Sequence, residues 1–459
     1  MTVVVGNTIA ALVASDALAS RGASVDLYLT GTVGGGFRGF SVDGFCLELG
    51  ARLLEISYGG EESTAPPPSL EEYHPGPSGH RPHIKAVRKF LCELLGSDLI
   101  EIDRPQMFLN GAMAPDIYFT VDLSKLRDGL TAQQATDIGD ETLRILASNP
   151  SPEGIFGTPS QNLWSMSLEE ASIANHGATF HQIFIESICR KIQAAGSSEV
   201  LAALRRKVWM PIFHTKTLWE AVSGKELGFR PNRPFHTIEG GGIADLITRL
   251  LERIESSPHV AVRRLNGLTR ISTVNGVTRL EFGNGTHRTV SSRPIIGVSP
   301  EQLYLAAGVP YAPERVPIFV CWVAVSDDDI IQLPTATFVV DPRLDTYRVN
   351  GGLGPPGSRV ISLELSHKVL PDEADSVARQ SLEAMRIVRP GSAIRLVHQL
   401  RVPAFTAPSA TNLEGFRIAH ESFNEQSVNA DIIGGATAFG ADSINEQIVQ
   451  GLRAAEVAD

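Results

Sequence analysis

The sequence predicts an α/β fold in which a parallel-sheet domain is interleaved with a mixed-sheet domain and a helical subdomain. Three observations carry this reading. The chain opens on a strand, glycine, helix, glycine, strand unit between Thr2 and Leu29, and it closes on an apolar strand followed by a helix. Strand-like runs at 294–299, 318–325 and 360–365 fill the second half. A chain of 459 residues, 43% hydrophobic and 20% charged, suits two or three domains around a large core. That balance excludes wholesale disorder and collagen-like or coiled-coil architecture.

Thr2 to Val5 is a short apolar, β-branched run that reads as a buried strand, ended by Gly6. Ile9, Leu12, Val13, Ala17 and Leu18 recur at helical spacing up to Arg21, and Gly22 closes that helix. Ser24 to Leu29 reads as the next strand. Such a βαβ unit carries dinucleotides, with the pyrophosphate resting on the helix N-terminus near Gly6, Thr8, Ile9 and Ala10. The glycine fingerprint is altered, however. GxGxxG asks for glycine at 6, 8 and 11, and the chain has Gly6, Thr8 and Ala11. A side chain at position 8 blocks the closest backbone approach to a phosphate. The acid expected at the end of the second strand is also missing, because Tyr28, Leu29 and Thr30 occupy that stretch. A βαβ unit that keeps its shape without its ligand therefore stays open beside the binding reading.

Val33-Gly34-Gly35-Gly36-Phe37-Arg38 comes next, then Asp43-Gly44-Phe45-Cys46-Leu47-Glu48-Leu49-Gly50-Ala51. This arrangement resembles the flavin-binding amine oxidase superfamily, which includes protoporphyrinogen oxidases, phytoene desaturases and UDP-galactopyranose mutases. There a V-G-G-x loop precedes a D-G-F-x-x-D-L-G-A hairpin. The resemblance implies a Rossmann-like (GR2-type) FAD-binding domain, with Gly34 and Gly35 along the FAD pyrophosphate and Arg38 as a further phosphate contact. Gly50 and Ala51 would back the flavin ring.

Further along, 61–82 is rich in proline, glycine and charge and reads as an exposed excursion. His74, His80 and His83 lie near it, with no carboxylate or cysteine cluster at ligand spacing, so no metal site is expected. A helix is predicted over 84–95, strands over 99–102 and 106–109 with an Asn110-Gly111 turn, and mostly helix from 123 to about 205. Ser167-Leu168-Glu169-Glu170 is a capping start, and the stretch after His176 runs into an apolar helix ending near Ala195. Trp209–His214 and Arg230–His236 read as irregular, pocket-lining segments. Glu239-Gly240-Gly241-Gly242 with the helix 243–254, the strand 260–265, the hairpin 268–290 and the strand 294–299 again match the superfamily's order. So do the closing Ala430–Gly435 strand and Ala441–Glu456, which resembles "GGSVEgAixSGxrAAe".

The resemblance assigns 1–60, 238–300 and 412–459 to the FAD-binding domain. It places 61–122 and 301–411 in a substrate-binding β-sheet domain and 123–237 in a helical subdomain. Gly435, Asp442, Ser443 and Ile444 would meet the cofactor, although Gly435 stands where the superfamily has aspartate and Asp442 where it has glycine. Arg230 and Arg233 are the expected substrate contacts. His181, His214, His236, Tyr347 and Asp442 are candidate catalytic groups by residue type.

The function so implied is FAD-dependent oxidation of a small, secondary-metabolite type of molecule in a biosynthetic step, with hydride passing to the flavin. Two alternatives remain: a flavin-dependent sugar-nucleotide mutase, and a member with lost or weakened FAD acting as a cofactor-independent enzyme or non-catalytic partner. A net charge of −11 without a basic run argues against nucleic acid and anionic membranes. No stretch reaches transmembrane length, and no signal peptide opens the chain. The scattered Cys46, Cys92, Cys189 and Cys321 read as reduced core residues of a cytoplasmic protein. A homodimer or a partner enzyme is left open.

Overall fold

A computed structural model describes residues 1–51, 53–56, 84–148, 163–227, 234–240, 242–333, 335–352 and 354–458. In chain order these form β1 (Thr2–Gly6), α1 (Ile9–Ser20), β2 (Val25–Leu29), β3 (Phe40–Val42), β4 (Phe45–Leu47), α2 (Ile84–Leu95), β5 (Leu99–Ile102), β6 (Gln106–Leu109) and β7 (Ala112–Pro115). The helical stretch holds α3 (Ala132–Ser148), α4 (Leu168–His176), α5 (Ala178–Phe180), α6 (Ser187–Ile192) and α7 (Thr215–Val222). Then come β8 (Phe235–Ile238), α8 (Gly242–Glu255), β9 (Val260–Arg264), β10 (Leu268–Val274), β11 (Val277–Phe282), β12 (His287–Val290), β13 (Ile295–Gly297) and α9 (Pro300–Ala306). The chain finishes with β14 (Arg315–Ser326), β15 (Ala336–Val339), β16 (Thr346–Asn350), β17 (Ser358–Leu365), α10 (Ala374–Ala384), β18 (Ile394–Thr406), α11 (Ala410–Glu425), β19 (Asp431–Ile432) and α12 (Ile444–Val457).

The first sheet runs β19-β13-β1-β2-β9, all parallel, so strands distant in sequence meet at one edge. A parallel sheet needs cover on both faces. One face packs on α1, α2, α8 and α12 through Leu12, Phe90, Leu250 and Ile448; the other packs on β10–β12, α9 and α11 through Tyr28, Leu280, Tyr304 and Phe416. Gly451 lets α12 cross close to α1, since a Cβ there would lie 2.6 Å from the Ala10 carbonyl oxygen.

The second sheet runs β18-β14-β17-β16-β15-β6-β7. One face buries Cys321, Val323, Val349 and Leu363 against α10. Its opposite face meets the helical subdomain, where Phe338 and Tyr347 join Phe180, Phe184, Ile188 and Leu218 in one core. Ser167 begins α4 with the expected capping box, its hydroxyl accepting from the Glu170 amide while the Glu170 side chain accepts from the Ser167 amide.

Some expectations are corrected. Phe235–Ile238 is a strand, β8, antiparallel to β5, because Phe235 and Ile238 bury on the core while His236 pairs across with Glu101. The helix after His176 restarts at Gly177, passes through a π-helical turn at His181–Glu186, and stops at Ile192, where Gln193 turns extended. Cys189 and Cys321 are buried and free, but Cys46 and Cys92 are exposed, so the four are not a uniform core set. Within 61–122, α2 packs in the first-sheet core while β6 and β7 join the second sheet. The 61–82 excursion, His74, His80 and His83, and Arg230 and Arg233 lie outside the described residues. Among the described residues, no helix is long and apolar enough to cross a membrane.

Candidate functional site

The ends of β1, β13 and β19 meet at the N-terminus of α1. Thr8 is the N-cap of that helix: its Oγ1 accepts from the Ala11 amide at 3.3 Å and donates to the Gly297 carbonyl at 2.8 Å. Gly6 holds φ +144°, and a Cβ there would collide with the Gly297 carbonyl. Ile9 and Ala10 follow as the buried first turn. The glycine loop lies alongside, with the Gly34 amide donating to the Asn7 carbonyl at 2.8 Å and Asn7 Nδ2 donating to the Thr32 carbonyl at 2.6 Å. Gly34 packs on Ile247 of α8, whereas a Cβ at Gly35 or Gly50 would meet nothing within 4 Å. Gly50 and its neighbour Ala51 are half-buried beyond the β3–β4 hairpin. Arg38 is exposed and lines a cavity of about 390 Å³ between that hairpin and α8, together with Cys46, Thr248 and Glu252.

The turn after β19 and the start of α12 complete this region. A Cβ at Gly434 would lie 3.5 Å from Thr8 Oγ1, and one at Gly435 would lie 3.6 Å from Asp442 Cβ. The structure therefore places Thr8 beside Gly434 and Asp442 beside Gly435. Gln450 Oε1 accepts from the Gly434 amide at 2.5 Å and from Thr437 Oγ1 at 3.3 Å. Ser443 caps α12 ahead of Ile444: its hydroxyl accepts from the Glu446 amide, and the Glu446 carboxylate accepts from the Ser443 amide. Burial raises the pKa of the Glu446 carboxyl. Asp442 is ion-paired with Lys207, which reaches over from the helical subdomain. Glu48, unremarked in the sequence, is buried at the start of α8 and accepts from the Ala244 amide. Its backbone carbonyl takes the Trp322 indole N–H at 3.1 Å. The acid inside the hairpin motif and the glycines before α8 are the signals that mark this cap.

These residues do not fit a dinucleotide held at helix N-termini. Such binding needs free amides and room for a phosphate. Here Thr8 fills the space beside Gly434 and takes an amide of α1, Gln450 takes the Gly434 amide, and two carboxylates stand at the start of α12. At the end of β2 the Tyr28 ring stacks on Phe282, and the buried Thr30 hydroxyl has no partner among the described residues. The open backbone at Gly35, Gly36 and Gly50 keeps the form of a cradle.

A second polar cluster lies on the inner face of the second sheet. Arg348 on β16 stands opposite Glu364 on β17, each 1% exposed, and its Nε and Nη2 donate to Glu364 Oε1 at 3.0 and 2.5 Å. Next along, Asn350 faces Ser362 at 3.4 Å. The Trp209 ring covers the Arg348 guanidinium at 3.9 Å, and Trp209 itself holds φ +59°, a left-handed conformation uncommon for a bulky residue. Arg348 Nη1, Glu364 Oε2 and Asn350 Oδ1 are buried without partners among the described residues. Tyr347 joins this cluster, and burial together with the Glu364 charge pushes its phenol well above the usual range.

The candidate histidines sit on separate elements. His181 is in the π-helical turn, 3.4 Å from Ser197 Oγ, which donates to Glu186 at 2.5 Å. His214 is the residue immediately before α7 and His236 lies in β8. Burial lowers the pKa of all three. Arg348, Glu364 and Asn350 were not singled out in the sequence. The polar residues alternating with Ile361, Leu363 and Leu365 in an otherwise apolar strand are the signal that could have found them.

No family model matches the chain, and no curated protein does. Solved structures do match over almost its full length. Reduced UDP-galactopyranose mutase aligns with TM-score 0.72 at 15% identity, covering 99% of this chain and 94% of that one. A protein described as a protoporphyrinogen oxidase from Exiguobacterium aligns at 0.61 and 17%, covering 99% and 97%. Putrescine oxidase with putrescine bound aligns at 0.58 and 14%, covering 99% and 98%. At these identities the likeness is one of architecture: the chain shares the overall fold of these three proteins.

Proposed function

We propose that this chain binds a hydroxyl-bearing small molecule, of the sugar or sugar-nucleotide class, against the Arg348–Glu364–Asn350 floor beneath Trp209. The observation that carries it is the set of buried atoms left unpaired there: the Arg348 Nη1 and Tyr347 hydroxyl donors beside two acceptors. An unpaired buried polar group costs about 1–3 kcal/mol, so four in one cluster call for a partner. A hydroxyl accepts and donates at once, and so suits a donor flanked by acceptors. The likeness to UDP-galactopyranose mutase supports the same class. Trp209 closes the floor, so entry requires its ring to swing off Arg348.

The test is a thermal-shift screen of sugars, UDP-sugars, amines and carboxylates on the purified chain and on Trp209→Ala. Stabilisation by UDP-sugars that disappears in Asn350→Leu is expected. A response confined to amines, or to none of the probes in either protein, overturns the proposal.

A second reading, an FAD-dependent oxidoreductase passing hydride to the flavin, is favoured by the open backbone at Gly35 and Gly50. Flavin absorbance that bleaches with an amine substrate would select it.

A further inference from the structure

Around α1, β19 and α12 the protein's own side chains accept from the Ala11, Gly434 and Glu446 amides, and we infer that they stand in for a dinucleotide: this chain folds and functions with no resident FAD, its own side chains making ties that a pyrophosphate would otherwise make. Three separate places carry this. At α1, the Thr8 hydroxyl bridges the helix to β13, accepting from the Ala11 amide and donating to the Gly297 carbonyl, and it lies in the gap beside Gly434. A glycine at that position would leave the gap open for a phosphate oxygen.

At the turn after β19, Gly434 lies beside that gap, with its Cβ position 3.5 Å from Thr8 Oγ1, and its amide is already taken. It donates to Gln450 Oε1, which also takes the Thr437 hydroxyl. Gln450 thus ties the turn to α12 from within.

At the start of α12, the Ser443–Glu446 capping box engages the Ser443 and Glu446 amides, and Gln447 Nε2 donates to the Asp442 carbonyl at 2.9 Å. Asp442 and Glu446 bring carboxylates to a helix end whose dipole favours anions, so the anion already present is the protein's own. Lys207 pairs with Asp442 and draws the helical subdomain onto this end. A pyrophosphate entering here would displace these bonds and face two carboxylates. The inference is independent of what the second-sheet floor binds.

The experiment uses the full chain and two variants, Thr8→Gly and Thr8→Gly/Gln450→Ser. Flavin released on denaturation is measured first, then FAD binding by fluorescence quenching and by thermal shift. The wild-type chain is expected to release no flavin and to keep its melting temperature in excess FAD. The variants are expected to melt at lower temperature, to recover on adding FAD, and to bind it at least about tenfold tighter than the wild type. One flavin released per wild-type chain overturns the inference. So does a Thr8→Gly chain with native circular dichroism that gains neither affinity nor FAD-dependent stability. Should the double variant fail to fold, Thr8→Gly and the wild-type measurement decide between these results.

Discussion

His176, the last residue of α4, makes folding sensitive to acid in a way that can be calculated. The ring is fully buried, Nε2 accepts from the Phe213 amide at 2.8 Å, and Nδ1 faces Ser172 Oγ at 3.1 Å. Nε2 is thus an acceptor, and the neutral ring carries its proton on Nδ1. Protonating Nε2 would both charge a buried ring and break the Phe213 bond. Burial accordingly drives the pKa down from 6.5 to about 3. The sign follows from proton counting. Below pH 6.5 the unfolded chain takes up a proton that the folded chain refuses until about pH 3, so stability is lost as pH falls through that window. Between neutral pH and about pH 5 the loss from this one residue is about 2 kcal/mol. Urea unfolding of wild type and His176→Gln near pH 7.5 and pH 5 checks it. The glutamine keeps an acceptor for Phe213 and cannot titrate. His181, His214 and His236 are common to both proteins, so their contributions cancel in the comparison. The wild type should lose about 2 kcal/mol more than the variant on acidification. Equal losses in the two proteins would refute the reasoning.

Three other substitutions test the packing. Arg348→Met strands Glu364 in the core and should cost about 3–5 kcal/mol in urea denaturation, whereas Arg348→Met/Glu364→Leu should recover most of it. A double variant no more stable than the single one would mean that the pair is not coupled. Gly451→Ala forces a methyl group against the Ala10 carbonyl and Val13, and should lower stability by about 1–3 kcal/mol; an unchanged denaturation midpoint would show that the α1–α12 crossing relaxes freely. Ser167→Ala removes the α4 cap and should cost about 1 kcal/mol, read from the same curves.

What the sequence shows and what it hides divide along the range of the interactions. Helix α2 and strands β5 and β6 fall on their expected residues because periodicity and turn chemistry are local. The Arg348–Glu364 pair was hidden because it depends on register: β16 meets β17 with a shift between Thr346 and Arg348, and no spacing along the chain reveals which residues then stand opposite. Position 8 shows the same limit from the other side. The loss of glycine is plain in the sequence, but the use made of the threonine is not, because its partner carbonyl belongs to Gly297, 289 residues on. Gln450 is equally silent until the Gly434 turn is folded beside it. Taken one at a time, the off-pattern residues read as independent erosion of a binding site. Together they have a physical logic. Amides that lose an anionic ligand and stay buried each cost about 1–3 kcal/mol unless something accepts from them. In this fold the acceptors are Thr8 on the Ala11 amide, Gln450 on Gly434, and the Ser443–Glu446 box on α12. Simple decay of a site leaves donors without acceptors. Replacement of its ligand supplies acceptors from the protein itself, as Thr8, Gln450 and Ser443 do for the Ala11, Gly434 and Glu446 amides.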